Sequence, residues 1–222
     1  MFGAVYGGAV LHTISAKTQS VRQLTNPHHA TLQTSLLVAG VDEAGRGPLA
    51  GPVSAAAVIL DPNNMPGGIA DSKTLSGTQR EAAFNAILAH ALAVSFALLP
   101  PAEIDQRNIR GATLEAMRRA VLGLSVQPVL VLIDGRDIPP GLPCAGRAII
   151  GGDASEPAIG AASIVAKVMR DRLMKRLGAE LPAYGFDIHK GYGTAEHRAA
   201  ILQVGGCVHH RQSFAPFKNG TP

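Results

Sequence analysis

A mixed α/β domain, with helices covering a central sheet, is the fold class this chain predicts. Three observations lead there. Short apolar runs that end in Gly, Pro or Asp recur along it and read as buried strands. After an early pair of strands, helical and strand stretches alternate, the order expected of a sheet with helices packed on it. The hydrophobic fraction is 46% and the charged fraction 16% over 222 residues, so the chain can bury a core and is not a disordered polymer.

The elements follow in order. Residues 1–35 hold no Asp or Glu and only Lys17 and Arg22 as charges. The run from Phe2 to Leu11 lacks the positively charged leader of a secretory signal. The expectation is a flexible extension over 1–35 and one catalytic domain over 36–222. Residues 36–41 and 53–60 are strands separated by a Gly/Pro loop, and the Pro- and Gly-rich stretch at 61–68 is a further loop. Ser76 and Gln79 form a capping box, which opens a helix to about Ala91. Residues 93–99 are a strand stopped by Pro100-Pro101. A helix over 110–122 places Leu114, Met117 and Val121 on one face. Strands at 129–133 and 147–150 end beside Asp134 and Asp153. A long helix then runs over about 157–177.

Composition narrows the partners. A net charge of +4 favours a polyanion mildly. Aromatics are 4% with no Trp, which argues against extensive base-stacking platforms. Cys144 and Cys207 lack Cys-x-x-Cys spacing and read as reduced thiols, which places the chain in the cytoplasm. No apolar run is long enough to span a bilayer.

The chemistry concentrates at Val41-Asp42-Glu43-Ala44-Gly45-Arg46-Gly47-Pro48. Two adjacent carboxylates at a strand end repel, and a divalent cation offsets that cost. Asp42, Asp134 and Asp153 each follow an apolar strand, where α/β sheets bind ligands. With Glu43 they are the candidate metal ligands: four carboxylates can hold two magnesium-like ions for phosphodiester hydrolysis. Each Asp taken singly could equally cap a turn or helix. Gly45-Arg46-Gly47 is no P-loop, since no Gly-Lys-Ser/Thr follows. Ser72 and Lys73, ahead of the capped helix, could hold a phosphate or form a solvated turn. Ser163, Lys167 and Asp171 share one helix face, suited to a phosphate or to an ion-pair ladder. Arg170, Arg172, Lys175 and Arg176 continue a basic stretch suited to a polyanion backbone, although such runs are usually just a solvated face. Tyr192 lies between two glycines, in a setting for stacking on a base or sugar, though a tyrosine in a surface loop is equally common. His197, His209 and His210 have no cysteine partners in zinc spacing and read as surface or substrate-proximal residues.

Together these segments resemble the bacterial ribonuclease HII family. The matching stretches are Val41 to Pro48, Asp71-Ser72-Lys73-Thr74-Leu75-Ser76, Ile133-Asp134-Gly135, Gly152-Asp153, Ala161 to Asp171, His189-Lys190-Gly191-Tyr192-Gly193-Thr194 and His210-Arg211-Gln212-Ser213-Phe214. They span about Leu36 to Lys218, in family order. The resemblance implies a ribonuclease H-like fold and endonucleolytic hydrolysis of the RNA strand of RNA–DNA hybrids, including duplex DNA carrying a single ribonucleotide. It implies that Asp42, Glu43, Asp134 and Asp153 hold Mg²⁺ or Mn²⁺. It further implies that the Gly45-Arg46-Gly47 backbone senses the 2′-hydroxyl, that Tyr192 packs on the sugar at the RNA–DNA junction, and that Ser72, Lys73, Ser163 and Lys167 hold flanking phosphates. A monomer is expected. Gln212 stands where family members often carry a second basic residue, and neither a trailing helical domain nor a sliding-clamp-binding tail is visible after Phe214. Two other readings compete: a non-catalytic hybrid-binding protein, which clustered acids would not serve, and an integrase or resolvase of the same superfamily, against which the Gly-Arg-Gly and Gly-Tyr-Gly-Thr segments argue.

Overall fold

The computed structural model describes residues 37–67, 69 and 75–219, together with the backbone path of 10–14. Six described strands form one sheet: β1 (Val10–Ile14), β2 (Val38–Ala44), β3 (Val53–Ile59), β4 (Ala93–Leu99), β5 (Leu130–Asp134) and β6 (Ala145–Ile149). Their order is β1-β4-β3-β2-β5-β6. The pairs β1/β4, β4/β3 and β3/β2 are antiparallel, while β2/β5 and β5/β6 are parallel. The sheet is therefore mixed, as the sequence predicts. β1 lies within the segment expected to be an extension and pairs with β4 at the sheet edge.

Alternation along each strand divides the core in two. Val41, Ala55, Ala57, Ile59 and Val131 face α2 (Pro101–Leu122), which contributes Ile104, Ala116 and Val121. Ala56, Val58, Val94 and Phe96 face α1 (Gly77–His90) and α4 (Pro157–Glu180), which contribute Phe84, Ile87, Ala162 and Val165. Small residues on α4 let it sit tightly on the sheet. A side chain at Gly40 of β2 would run into the Ala158 backbone at 2.0 Å.

The capping box at α1 forms as expected, with the Ser76 hydroxyl accepting from Gln79 N–H and Gln79 Oε1 accepting from Ser76 N–H. α2 starts earlier than expected, because Pro101 suits the first helical turn. It is interrupted at Asn108, whose φ is 58°. The Asn108 side chain accepts from Gly111 N–H and caps the second half, the half the sequence predicts. Beyond α4, a short helix α5 (Phe186–His189) and α6 (Ala195–Val204) complete the described helices, with α3 (Gly152–Ser155) preceding α4. Thr194 caps α6 by accepting from His197 N–H. A third, smaller cluster lies under this region, built from Ala50, Met174, Leu177, Tyr184 and Phe186.

Candidate active site

Parallel pairing of β2 with β5 aligns Val41 with Ile133. Asp42 and Asp134 are the next residues along, so they emerge side by side at the same end of the sheet. Asp134 lies opposite Ile149 of β6. The chain then turns through Gly151 into α3, which carries Asp153. Asp134 is tied to that turn, its Oδ1 accepting from Gly152 N–H at 2.8 Å. Asp42 and Asp134 thus share one end of the sheet, and the turn bonded to Asp134 leads into the helix that carries Asp153.

Asp42 is only 5% exposed. Its Oδ1 accepts from Glu43 N–H at 2.7 Å, and the Ser163 side chain of α4 favours its ionised form. Burial, then the charges of Glu43 and Asp134, push the Asp42 carboxyl well above its ordinary range. Glu43 is likewise raised, chiefly by burial, with Arg46 opposing; Arg46 Nη1 lies 3.4 Å from Glu43 Oε1. Asp153 is 6% exposed.

Among the described residues, no three His, Cys, Asp or Glu side chains close into a ready-made cage. The acids form an open, all-oxygen donor set. That suits a hard divalent cation, which keeps water and takes substrate phosphate oxygens as ligands. A cation would also remove the repulsion that raises Asp42, so the residues present fit such an ion.

Beside the acids lies a cleft of about 400 Å³, lined by Glu43, Gly45, Arg46, Gly47, Arg80, Ser163, Lys167 and Tyr192 among others. Six of the residues singled out in the sequence for substrate binding therefore share one cavity with one of the four acids. Lys167 is paired with Asp171 at 2.8 Å, the ion-pair reading of that helix face, while it also lines the cleft. Tyr192 is 44% exposed. Ser72 and Lys73 lie outside the described residues.

Two arginines shape the loop along the cleft. Arg211 is fully buried and donates to three carbonyls: Gly45 at 2.6 Å, Arg46 at 2.8 Å and Gly51 at 3.0 Å. Arg170, also buried, donates to Pro52 and Ala50 carbonyls at 3.0 and 3.1 Å. A trans peptide sets each carbonyl opposite the next residue's N–H. Holding the carbonyls of Gly45 and Arg46 inward thus turns the N–H groups of Arg46 and Gly47 away from the buried arginine. Gly45 has φ +90°, and a Cβ there would strike Arg170 Nε at 2.1 Å; only glycine fits both demands.

This corrects two expectations. Arg170 is not part of a solvated basic face: it follows Ala162 and Ala166 and precedes Met174 at i, i+4 spacing, all of them buried. That spacing is the signal that could have revealed it. His197 and His210 are buried rather than surface residues, because α6 and the segment after it fold them onto Phe186. Arg80 is a cleft residue the sequence reading missed; it sits in the first turn of the capped helix, with Nη2 donating to Leu75 O at 2.7 Å.

A mixed sheet with acids at adjoining strand ends, beside a cleft lined by cations and backbone, is the build of a metal-dependent nuclease. The comparisons specify which one. A family model described as Ribonuclease HII matches residues 39–217. A ribonuclease HII of Mesorhizobium japonicum is 61% identical over 184 residues, covering 82% of this chain and 80% of that protein. One from Brucella canis is 57% identical over 182 residues, covering 82% and 83%. The crystal structure of ribonuclease H2 from Pyrococcus horikoshii OT3 superposes with a TM-score of 0.71 at 29% identity, over 82% of this chain and 95% of that one. The chain belongs to the ribonuclease HII family. It is a metal-dependent endoribonuclease that acts on RNA–DNA hybrids. No described helix is long and apolar enough to cross a membrane.

Proposed function

We propose that this enzyme nicks duplex DNA on the 5′ side of a single embedded ribonucleotide, besides cutting longer hybrids. The observation that carries this reading is the loop held by Arg211. Its outward N–H groups at Arg46 and Gly47 lie along the cleft, where backbone can approach a sugar without a side chain intervening. The 2′-hydroxyl is the group that separates RNA from DNA, and it can accept from such donors.

Asp42, Glu43, Asp134 and Asp153 would hold two divalent cations, Mg²⁺ or Mn²⁺, which supply an acidified water and charge neutralisation at the scissile phosphate. Ser163 favours the ionised form of Asp42. Arg46 moderates the charge of Glu43 from the cleft side. Lys167 and Arg80, with Ser72, Lys73 and Ser163, hold phosphates flanking the cut. Tyr192, at the mouth of the cleft, lies against the sugar at the junction. Hydrolysis breaks the P–O3′ bond, leaving a 3′-hydroxyl on the upstream strand and a 5′-phosphate on the ribonucleotide. The catalytic unit spans 36–222, with 1–35 outside the chemistry, and works as a cytoplasmic monomer.

The test is cleavage of a labelled DNA duplex containing one ribonucleotide, with Mg²⁺ or Mn²⁺, beside an all-DNA duplex. Metal-dependent nicking 5′ of the ribonucleotide, with all-DNA intact, is expected. Cutting of longer hybrids alone would sink the single-ribonucleotide reading.

A further inference from the structure

The loop that carries Tyr192 is anchored by a histidine pair outside the carboxylate site. His197 is 0% and His210 1% exposed. Their Nε2 atoms are 3.1 Å apart. His197 Nδ1 is 2.9 Å from the Tyr192 carbonyl, and His210 Nδ1 accepts from Cys207 N–H at 2.9 Å. These partners settle every proton. A carbonyl only accepts, so His197 carries its proton on Nδ1. Its Nε2 is then an acceptor, so His210 must donate from Nε2. That leaves His210 Nδ1 as an acceptor, which is what the Cys207 N–H requires. One tautomer of each ring satisfies the whole chain of bonds, and both rings are neutral.

The surroundings preserve that state. His189 stacks on His197 with ring centroids 4.4 Å apart. It is itself held between the Tyr184 carbonyl at 2.7 Å and Gly191 N–H at 3.1 Å. Phe186 packs edge-on against His197, and Tyr184 and Phe217 pack against His210. The titratable or charged groups facing the pair are His189 from α5, Tyr184 from the turn before it, Cys207 and His209 from the segment after α6, and Arg198 from α6 itself. No carboxylate is among them, and α4 presents Met174 and Leu177 to this cluster. Burial pushes His210 down to about 4.

The pair also joins the two segments that grip the cleft loop. Leu49 N–H donates to Gly191 O at 2.8 Å on the Tyr192 side. Gly51 N–H donates to His209 O at 2.8 Å, and Arg211 N–H to Leu49 O at 2.9 Å, on the His210 side. We propose that His197 and His210 are positioning residues, a neutral pair of fixed tautomers that sets Tyr192 against the Gly45–Gly47 loop for substrate binding. This rests on the reading that Tyr192 touches substrate.

The test has two arms on the full chain. Long-range ¹H–¹⁵N NMR of the imidazoles near neutral pH should show His197 protonated on Nδ1 and His210 on Nε2, both rings neutral. The opposite tautomers, or an imidazolium, would overturn the pair, whatever the activity. In the second arm, His197→Phe removes both hydrogen bonds, while His197→Asn keeps a donor near the Nδ1 position. On the single-ribonucleotide duplex with Mg²⁺, His197→Phe should raise KM about fivefold, the equivalent of one hydrogen bond, with kcat unchanged. His197→Asn should restore KM. Tyr192→Ala runs beside them. If it raises KM and a folded His197→Phe does not, the positioning role is wrong. If Tyr192→Ala leaves KM unchanged, the substrate contact is wrong instead, and the NMR arm alone decides the pair.

Discussion

Two buried polar clusters lie on either side of the Gly45–Pro52 loop, and they handle ionisation in opposite ways. The carboxylate cluster gathers Asp42, Glu43 and Asp134 at adjoining strand ends, where each raises the cost of charging Asp42. The histidine cluster gathers His189, His197 and His210 under α6, where donors and acceptors alternate and no ring needs a charge. In the first, burial and mutual repulsion are left unopposed at Asp42, the condition a bound cation would relieve. The second is complete by itself. A site built to bind something is left electrostatically unsatisfied, and a support built to hold still is not.

The largest way to test the contrast is Asp134→Asn. It should lower Mg²⁺-dependent cleavage by about 10³-fold, since several kcal/mol of barrier stabilisation depend on the cation. The folded protein should be no less stable, because a repelling charge has gone while an oxygen remains to accept from Gly152. Near wild-type cleavage would remove Asp134 from the ligand set.

Arg211→Met attacks the loop between the clusters. It leaves three buried carbonyls without their donor, a cost of about 3 kcal/mol at roughly 1 kcal/mol each. Urea denaturation should show that loss. Arg211→Lys should recover only part of it, since an ammonium lacks the planar fork. Full recovery would mean that charge, rather than the geometry of the fork, holds the loop.

The pH dependence of stability should separate the clusters by sign. An unfolded histidine takes a proton near pH 6.5, whereas His210 in the fold does so only at about 4. Between those values the unfolded chain binds more protons, so stability falls as pH drops, by on the order of 2–3 kcal/mol. Asp42 and Glu43 run the other way. Their raised values mean the fold binds protons more readily, so their repulsion costs stability at neutral pH and fades as pH falls. Denaturant titrations between pH 7 and 4, on wild type and His210→Gln, check this. An equal loss in both proteins would place the responsible group elsewhere.

The smallest expected effect is stabilisation by the metal itself. At ten times its dissociation constant, Mg²⁺ should add about 1.4 kcal/mol, read as a rise in Tm. Asp42→Asn should reduce that rise. An undiminished rise would locate the cation away from Asp42.

The local chemistry along the chain was legible before any coordinates. Asp42, Asp134 and Asp153 follow apolar runs, and short continuous apolar runs bounded by turn residues read as buried strands. The Ser76 capping box, the Pro157 helix start and the Gly-Arg-Gly turn are likewise read from neighbouring residues. The helix at α6 was not read, since it buries only His197 and Ile201 and leaves Leu202 and Val204 exposed, so its apolar residues mark no single face. Arg170 was read as part of a basic stretch and His197 and His210 as surface or substrate-proximal residues, because charge and polarity predict water contact unless a partner is known; Arg211 was given no role of its own.

Those partners are what only the tertiary structure decided. Arg170 and Arg211 are separated by more than 100 residues from the carbonyls they hold. The Asp42–Asp134 proximity depends on which strand lies beside β2. The tautomers of His197 and His210 depend on which atoms close around them. By itself the sequence determined which residues could do chemistry, because that follows from side-chain type and local spacing. Which of them face substrate and which hold the loop behind it was decided by long-range packing, since burial of a polar group is stable only when the fold delivers its hydrogen-bond partner.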